Sequence, residues 1–221
     1  MNGAVHRALT GKVVIATHNA GKLSEMRELL APHGIVLIPA WELGLPEPDE
    51  TGHMFAENAA IKAHAAAKAS GLPAVADDSG ICIDALDGAP GLFSANWAEK
   101  TDVSPKDFAP ARQRVEQELC SRGATMPEQR RAHFVSALVI AWPDGHQELF
   151  EGRVFGQIVS PERGPNGFGY DAIFQPDGHA RTFGEMSSEE KHGLPTDGSL
   201  ALSHRARAFQ LLARACLKTP S

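Results

Sequence analysis

Thr17-His18-Asn19-Ala20-Gly21-Lys22 follows a short β-branched run and precedes apolar residues at helical spacing, so it reads as a strand-to-helix turn. Such a junction exposes backbone N–H groups at the positive end of a helix dipole, which suits a phosphate. Gly21 lets the backbone come close, Lys22 supplies a cation, and Thr17 and Asn19 add polar side chains. An ordinary turn with a surface lysine has the same composition. The frame also nearly matches the phosphate loop GxxxxGK[ST]. However, Ala16 stands at its first glycine, and Leu23 replaces the hydroxyl residue that would meet Mg²⁺. A triphosphate bound here needs its metal held by carboxylates elsewhere.

Asp77-Asp78-Ser79-Gly80 offers two such carboxylates. It is predicted as a break between strands at Ala74–Asp77 and Ile81–Leu86, and sites of α/β proteins collect at strand ends. Side chains alternate along a strand, so Asp77 and Asp78 should face opposite ways, one entering the site. Asp49 and Glu50, in the acidic loop LPEPDETG, are a second oxygen source, with the choice between them open. A pair of carboxylates completed by phosphates and water is how Mg²⁺ is usually held. A solvated turn is the bland alternative for the Asp-Asp pair.

Gly167-Phe168-Gly169-Tyr170-Asp171 combines glycines with two aromatic rings, and a base could stack on Phe168. A glycine-rich turn over core aromatics fits equally. Ser203-His204-Arg205 begins a helix and offers donors to a base carbonyl, or is simply a capping serine with two solvated neighbours. Lys191 is expected in a polar loop. The remaining histidines show no HExxH-like spacing, and Cys82, Cys120 and Cys216 are too scattered for a disulfide framework or a CxxC site.

The elements that must carry these residues follow from periodicity and turn chemistry. Strands are predicted at Lys12–Thr17, Ile35–Pro39, Ala132–Trp142, Gln147–Val159 and Asp171–Gln175, the long pair joined by Pro143-Asp144-Gly145. Helices are predicted from Leu23 toward Gly34, over Met54–Ser70, near Pro105–Arg122 and from Ser203 onward. Early alternation of strands and helices around a long antiparallel pair implies an α/β protein with a mixed sheet.

The chain has 221 residues, 43% of them hydrophobic, which allows one large domain spanning 1–221 with a real core. A net charge of −6 weighs against nucleic acid or anionic membrane as a partner. No apolar run approaches a bilayer span, and the opening MNGAVHRALTGK has no apolar signal core, so a cytoplasmic location is expected.

Single motifs are weak, but their order is specific. ATHNAGKLSEMRELL resembles the phosphate-binding opening of the inosine-triphosphatase, or Ham1-like, family of pyrophosphatases for non-standard purine nucleoside triphosphates. ETGHMFAENAAIKAHAAAKASGLPAVADDSGICIDALDGAPGLFSA is similar to that family's longest signature, and GFGYDAIF and SHRARAF to two later blocks. The likeness runs from about Lys12 to Leu217.

It implies an elongated mixed sheet whose helices form two lobes around a central substrate cleft, in a homodimer. It also implies hydrolysis of ITP, dITP and XTP to monophosphate and pyrophosphate with Mg²⁺. Thr17, His18, Asn19, Ala20, Gly21 and Lys22 would hold the triphosphate, with Lys62 adding positive charge. Asp78 would be metal ligand and base, Glu50 the second metal ligand, and Ser79 a substrate contact. Phe168, Gly169, Tyr170 and Asp171 would form the base pocket, with Lys191, His204 and Arg205 reading the 6-oxo edge. His18 stands where the family commonly has a small residue, and the link HGLPTDGSLAL is longer than the family's. Rival readings are a pyrophosphatase for other modified bases (Maf-like) and a regulator that binds a triphosphate without cleaving it.

Overall fold

The strand Lys12–Ile15 (β1) is apolar on both faces, and its partners follow from that. A computed structural model of the protein describes residues 6–17, 19–98 and 107–217. His18 therefore lies outside the described residues. The helix Ala20–Leu30 (α1) leads to the strand Val36–Pro39 (β2), and the helix Phe55–Ser70 (α2) leads to the strand Ala74–Ile83 (β3). β1 pairs in parallel with both β2 and β3, which the intervening helices make possible as crossovers. The helix Ala109–Ser121 (α3) precedes the strands Arg131–Ala141 (β4) and Gln147–Ile158 (β5). The turn between β4 and β5 is closed by Gly145 N–H donating to the Trp142 carbonyl. The short strand Phe174–Pro176 (β6) pairs antiparallel with β5. Ser188–His192 (α4) and His204–Cys216 (α5) complete the chain's helices among the described residues. The six-stranded sheet has the order β2-β1-β3-β4-β5-β6 and is mixed, as the alternation of elements implied.

The described residues divide into two compact units. One lies within Met1–Asp78, Ser136–Gly152 and Arg207–Ser221, the other within Ser79–Val135 and Arg153–Ala206. In the first unit, the period-two alternation of β1 sends Val13 and Ile15 to one face, where they meet Met26 and Leu30 of α1 and Phe209 and Leu212 of α5. Val14 and Ala16 take the other face with Ala59, Ala63, Ala66 and Ala67 of α2. These four alanines are small, so this part of α2 can lie close on the strands. In the second unit, Val115 and Leu119 of α3 pack with Ile81, Ile83, Phe134 and Phe174. The Phe134 and Phe174 rings meet edge to face at 4.7 Å.

Three sequence expectations are corrected. Asp77-Asp78-Ser79-Gly80 is not a break: β3 runs continuously through it. Aspartate and glycine disfavour strands, but the place of β3 beside β4 in the sheet and side-chain partners for both aspartates override that preference. Asp171–Ile173 is a 3-10 turn, and the strand begins only at Phe174. Lys191 is not in a loop. Ser187 and Glu190 form a reciprocal capping box that starts the five-residue α4, with Lys191 in its last turn. No helix among the described residues is long and apolar enough to cross a membrane.

Candidate active site

In the first unit, Asn19 is the N-cap of α1, its Oδ1 accepting from Lys22 N–H at 3.1 Å, while Thr17 Oγ1 accepts from Asn19 N–H at 3.1 Å. The two side chains shape the turn that presents the first-turn N–H groups of Ala20 and Gly21. Lys22 reaches across to β3, where its Nζ lies 2.7 Å from Asp77 Oδ2. The neighbouring Asp78 pairs with a different lysine: its Oδ1 is 3.5 Å from Lys62 Nζ. Alternation on the strand thus gives each aspartate its own cation, as two adjacent strand residues must face opposite ways.

Lys62 sits on the alanine-lined face of α2 and is only 5% exposed. Its Nζ also donates to Glu50 Oε1 at 2.5 Å. Both acidic candidates in that loop are exposed, and Glu50 is the one whose carboxylate meets Lys62. The loop is held by the start of α2: Gly52 N–H donates to Asn58 Oδ1 at 2.8 Å and His53 N–H to Glu57 Oε2 at 2.6 Å. A Cβ at Gly52 would stand 2.6 Å from the Glu57 Cβ, so a side chain there would push the loop off the helix.

Burial drives the Asp78 carboxyl above its ordinary range, and the nearby charges of Lys62 and Lys22 pull it back only in part. Burial acts on Lys62 toward a lower value, but the charges of Asp78 and Glu50 outweigh it and hold the ammonium above its ordinary value. Three carboxylates, Glu50, Asp77 and Asp78, therefore face two ammonium groups, Lys22 and Lys62. Two hard oxygen donors converging on one cationic atom, with negative charge in excess, fit an Mg²⁺ ion. Among the described residues no three His, Cys, Asp or Glu side chains converge in metal-holding geometry. Glu50 and Asp78 can supply part of the shell, with phosphate oxygens and water as the remainder.

In the second unit, Ser79 Oγ accepts from Arg205 Nη2 at 3.1 Å. Lys191, 4% exposed, donates to Asp171 Oδ2 at 2.9 Å, and Phe168 N–H reaches the same oxygen at 3.3 Å. The long link after Lys191 is pinned at its base. Ser203 N–H donates to the Lys191 carbonyl at 2.9 Å, and Ser203 Oγ accepts from Ala206 N–H at 3.1 Å as the cap of α5. Phe168 is 39% exposed, which leaves a ring surface open to a base. Tyr170 is buried instead: its hydroxyl donates to the Ser94 carbonyl at 2.9 Å, and burial pushes its pKa up. It braces the loop from below, edge-on to Phe108 at 5.7 Å. The Gly169 carbonyl accepts from Arg112 Nη1 at 2.9 Å, and the His204 ring stacks on Phe134 at 4.7 Å. Arg112 was not visible as a site residue in the sequence: it lies in a helix of mixed charge, 57 positions before its carbonyl partner.

Gly167 has no room for a side chain. It has a φ of +78°, and a Cβ there would lie 2.0 Å from Asp171 Oδ2 and 2.6 Å from Lys191 Nζ. Gly167→Ala is expected to open the Lys191–Asp171 pair and lower kcat/KM for the purine triphosphates that the family resemblance implies about tenfold. Steady-state kinetics check this, and unchanged kcat/KM would remove the pair from substrate binding.

A sequence profile of the Ham1 family matches residues 13–215. The chain is 65% identical over 214 residues to a dITP/XTP pyrophosphatase of Bradyrhizobium diazoefficiens, covering 97% of this chain and 99% of that one. It is also 65% identical to a dITP/XTP pyrophosphatase of Rhodopseudomonas palustris, covering 96% and 99%. Among solved structures, a HAM1 protein from Coxiella burnetii superposes with a TM-score of 0.79 at 38% identity, covering 92% of this chain and 96% of that one. The Ham1 protein of Staphylococcus aureus superposes with a TM-score of 0.76 at 34% identity and the same coverages. Sequence likeness over nearly the whole length and the shared mixed sheet agree: this chain belongs to the Ham1 family.

Proposed function

We propose that the chain is an Mg²⁺-dependent nucleoside-triphosphate pyrophosphatase that hydrolyses non-standard purine nucleotides (dITP, XTP and ITP) to the monophosphate and pyrophosphate. The observation that carries this reading is the convergence of Asp78 and Glu50 on Lys62, one strand residue from the Asp77–Lys22 pair. The dITP/XTP pyrophosphatase activity of the Bradyrhizobium and Rhodopseudomonas relatives supports it.

The α1 N-terminus and Lys22 bind the phosphates, and Lys62 adds a second positive charge. Asp78 accepts a proton from water as its oxygen attacks the α-phosphorus. The bond from that phosphorus to the bridging oxygen breaks, and pyrophosphate leaves. Negative charge grows on the leaving group, where Lys22 and the helix N-terminus stabilise it. When bound by Asp78 and Glu50, Mg²⁺ neutralises phosphate charge and lowers the pKa of water. Such a reaction rests on positioning and charge neutralisation, which matches a site made of lysines, carboxylates and a helix end.

Base selectivity belongs to the second unit in this reading. Phe168 offers a stacking face, while Lys191, His204 and Arg205 supply donors to a 6-oxo group. Adenine has an amino group there, so a donor meeting it stays unpaired, at a cost of about 1–3 kcal/mol. Arg205→Ala is expected to narrow the ITP-to-ATP preference by about tenfold or more. An unchanged ratio in the same assay would take Arg205 out of base recognition. A homodimer, implied by the family resemblance, and a cytoplasmic location, expected from the sequence, complete the reading, and sedimentation checks the first.

The deciding experiment measures pyrophosphate release from ITP, XTP, dITP, GTP and ATP, with Mg²⁺ and with EDTA. Mg²⁺-dependent release from the first three, with ATP and GTP slow, is the expected result. Orthophosphate as product, or no base preference, would overturn the assignment. Tight binding without turnover would turn the reading toward a regulator.

A further inference from the structure

Ser136 lies in the interior of β4, fully buried between apolar neighbours, and its hydroxyl must find a partner there. The Ser136 Oγ donates to Asp77 Oδ1 at 2.5 Å. The other oxygen of the same carboxylate is the one 2.7 Å from Lys22 Nζ, and the Asp77 backbone carbonyl stands 3.4 Å from that Nζ. Ser136, Asp77 and Lys22 thus form a chain of three groups running from the buried strand to the start of α1.

Stability alone does not call for such a chain. A buried ion pair replaced by apolar residues of similar volume is often neutral or stabilising, so its presence is weak evidence for a purely structural role. A lysine, by contrast, needs it. Its ammonium is a point charge on a flexible four-carbon stem, so its position must be imposed by partners. Asp77 grips it from one side, and Ser136 prevents the carboxylate from rotating away.

We propose that Asp77 and Ser136 are positioning residues that hold the Lys22 ammonium where the triphosphate is bound. The inference rests on the function proposed above only in taking Lys22 as a phosphate ligand. Asp78 and its neighbour on the strand then divide the work: Asp78 serves the reaction and Asp77 serves the lysine.

A double-mutant cycle separates positioning from general structural support. Pyrophosphate release from ITP is measured for the wild type, Ser136→Ala, Asp77→Asn, Lys22→Ala and the two doubles containing Lys22→Ala. Ser136→Ala is expected to lower kcat/KM about tenfold and Asp77→Asn about a hundredfold, as for a displaced binding group. Neither should lower it further once Lys22 is alanine. Losses that multiply in the doubles would overturn the inference.

A second readout needs no turnover: calorimetric binding of inorganic tripolyphosphate and of inosine in EDTA. Ser136→Ala and Asp77→Asn should weaken tripolyphosphate several-fold and leave inosine unchanged. Equal weakening of both, or no tripolyphosphate binding by the wild type, would also overturn it. A wild type that binds tripolyphosphate but releases no pyrophosphate from ITP would instead defeat the proposed function, with the binding comparison still deciding the role of Ser136. If Ser136→Ala does not fold, Asp77→Asn decides by the same two comparisons.

Discussion

Asp78→Asn is expected to lower kcat for pyrophosphate release from ITP by about a thousandfold, the middle to upper range for losing a positioned base. The same change should leave the fold intact and make the metal-free protein slightly more heat-stable. The reason lies in where Asp78 sits. Burial raises its pKa in the folded chain, and Lys62 and Lys22 offset that only in part. A group whose folded pKa lies above its unfolded value contributes stability below the unfolded pKa and loses it as pH rises through the folded one. Holding this carboxylate charged therefore costs the fold stability, and the neutral amide of asparagine removes that cost. Activity and stability move in opposite directions, as they do where a site keeps a strained group for function. Kinetics with ITP and thermal melts in EDTA test both halves. Turnover within about threefold of wild type would take the base role from Asp78.

Lys62→Met should have the opposite sign in the same melt. Methionine keeps an apolar stem of similar length at this buried position of α2 but removes a cation that touches both Glu50 and Asp78. Breaking a buried pair by removing one partner costs about 3–5 kcal/mol, but the Glu50 side chain is 39% exposed and screened by water, so about 2 kcal/mol is expected. For a chain of this size that is a fall in Tm of roughly 4–8 °C in EDTA. Adding Mg²⁺ should recover a larger share in Lys62→Met than in the wild type, because the two carboxylates then depend more on the metal. An unchanged Tm in EDTA would mean that Lys62 does not hold the two carboxylates together, and no excess recovery would remove Glu50 and Asp78 as a metal pair.

Much of the molecule was legible in the sequence because its signals are local. The β-branched run at Lys12–Ile15 and the helical spacing of Leu23, Met26 and Leu30 mark β1 and α1. Gly71, with φ of +69°, ends α2 where the sequence had it. Ser203 as the cap of α5 and the turn between β4 and β5 were equally readable. The order of four motifs was enough to identify the family.

What the tertiary structure alone decided are the pairings of charge, because a carboxylate carries no mark of the partner it meets. Asp-Asp-Ser-Gly reads as a turn in one dimension. It is strand because β3 is hydrogen-bonded within the sheet, and Lys22, Lys62 and Arg205 arrive from distant segments to meet Asp77, Asp78 and Ser79. The contact of Glu50 with Lys62, twelve residues away on α2, also had no mark in the sequence. Lys191 looked like a surface lysine until Asp171 and the capping box of α4 buried it. Ser136, in an apolar strand 59 residues after Asp77, carried no local sign of any role. Backbone propensity and apolar period act over a few residues, so a sequence displays them. Electrostatic pairing acts through space, at distances of a few ångströms that only the folded chain brings about.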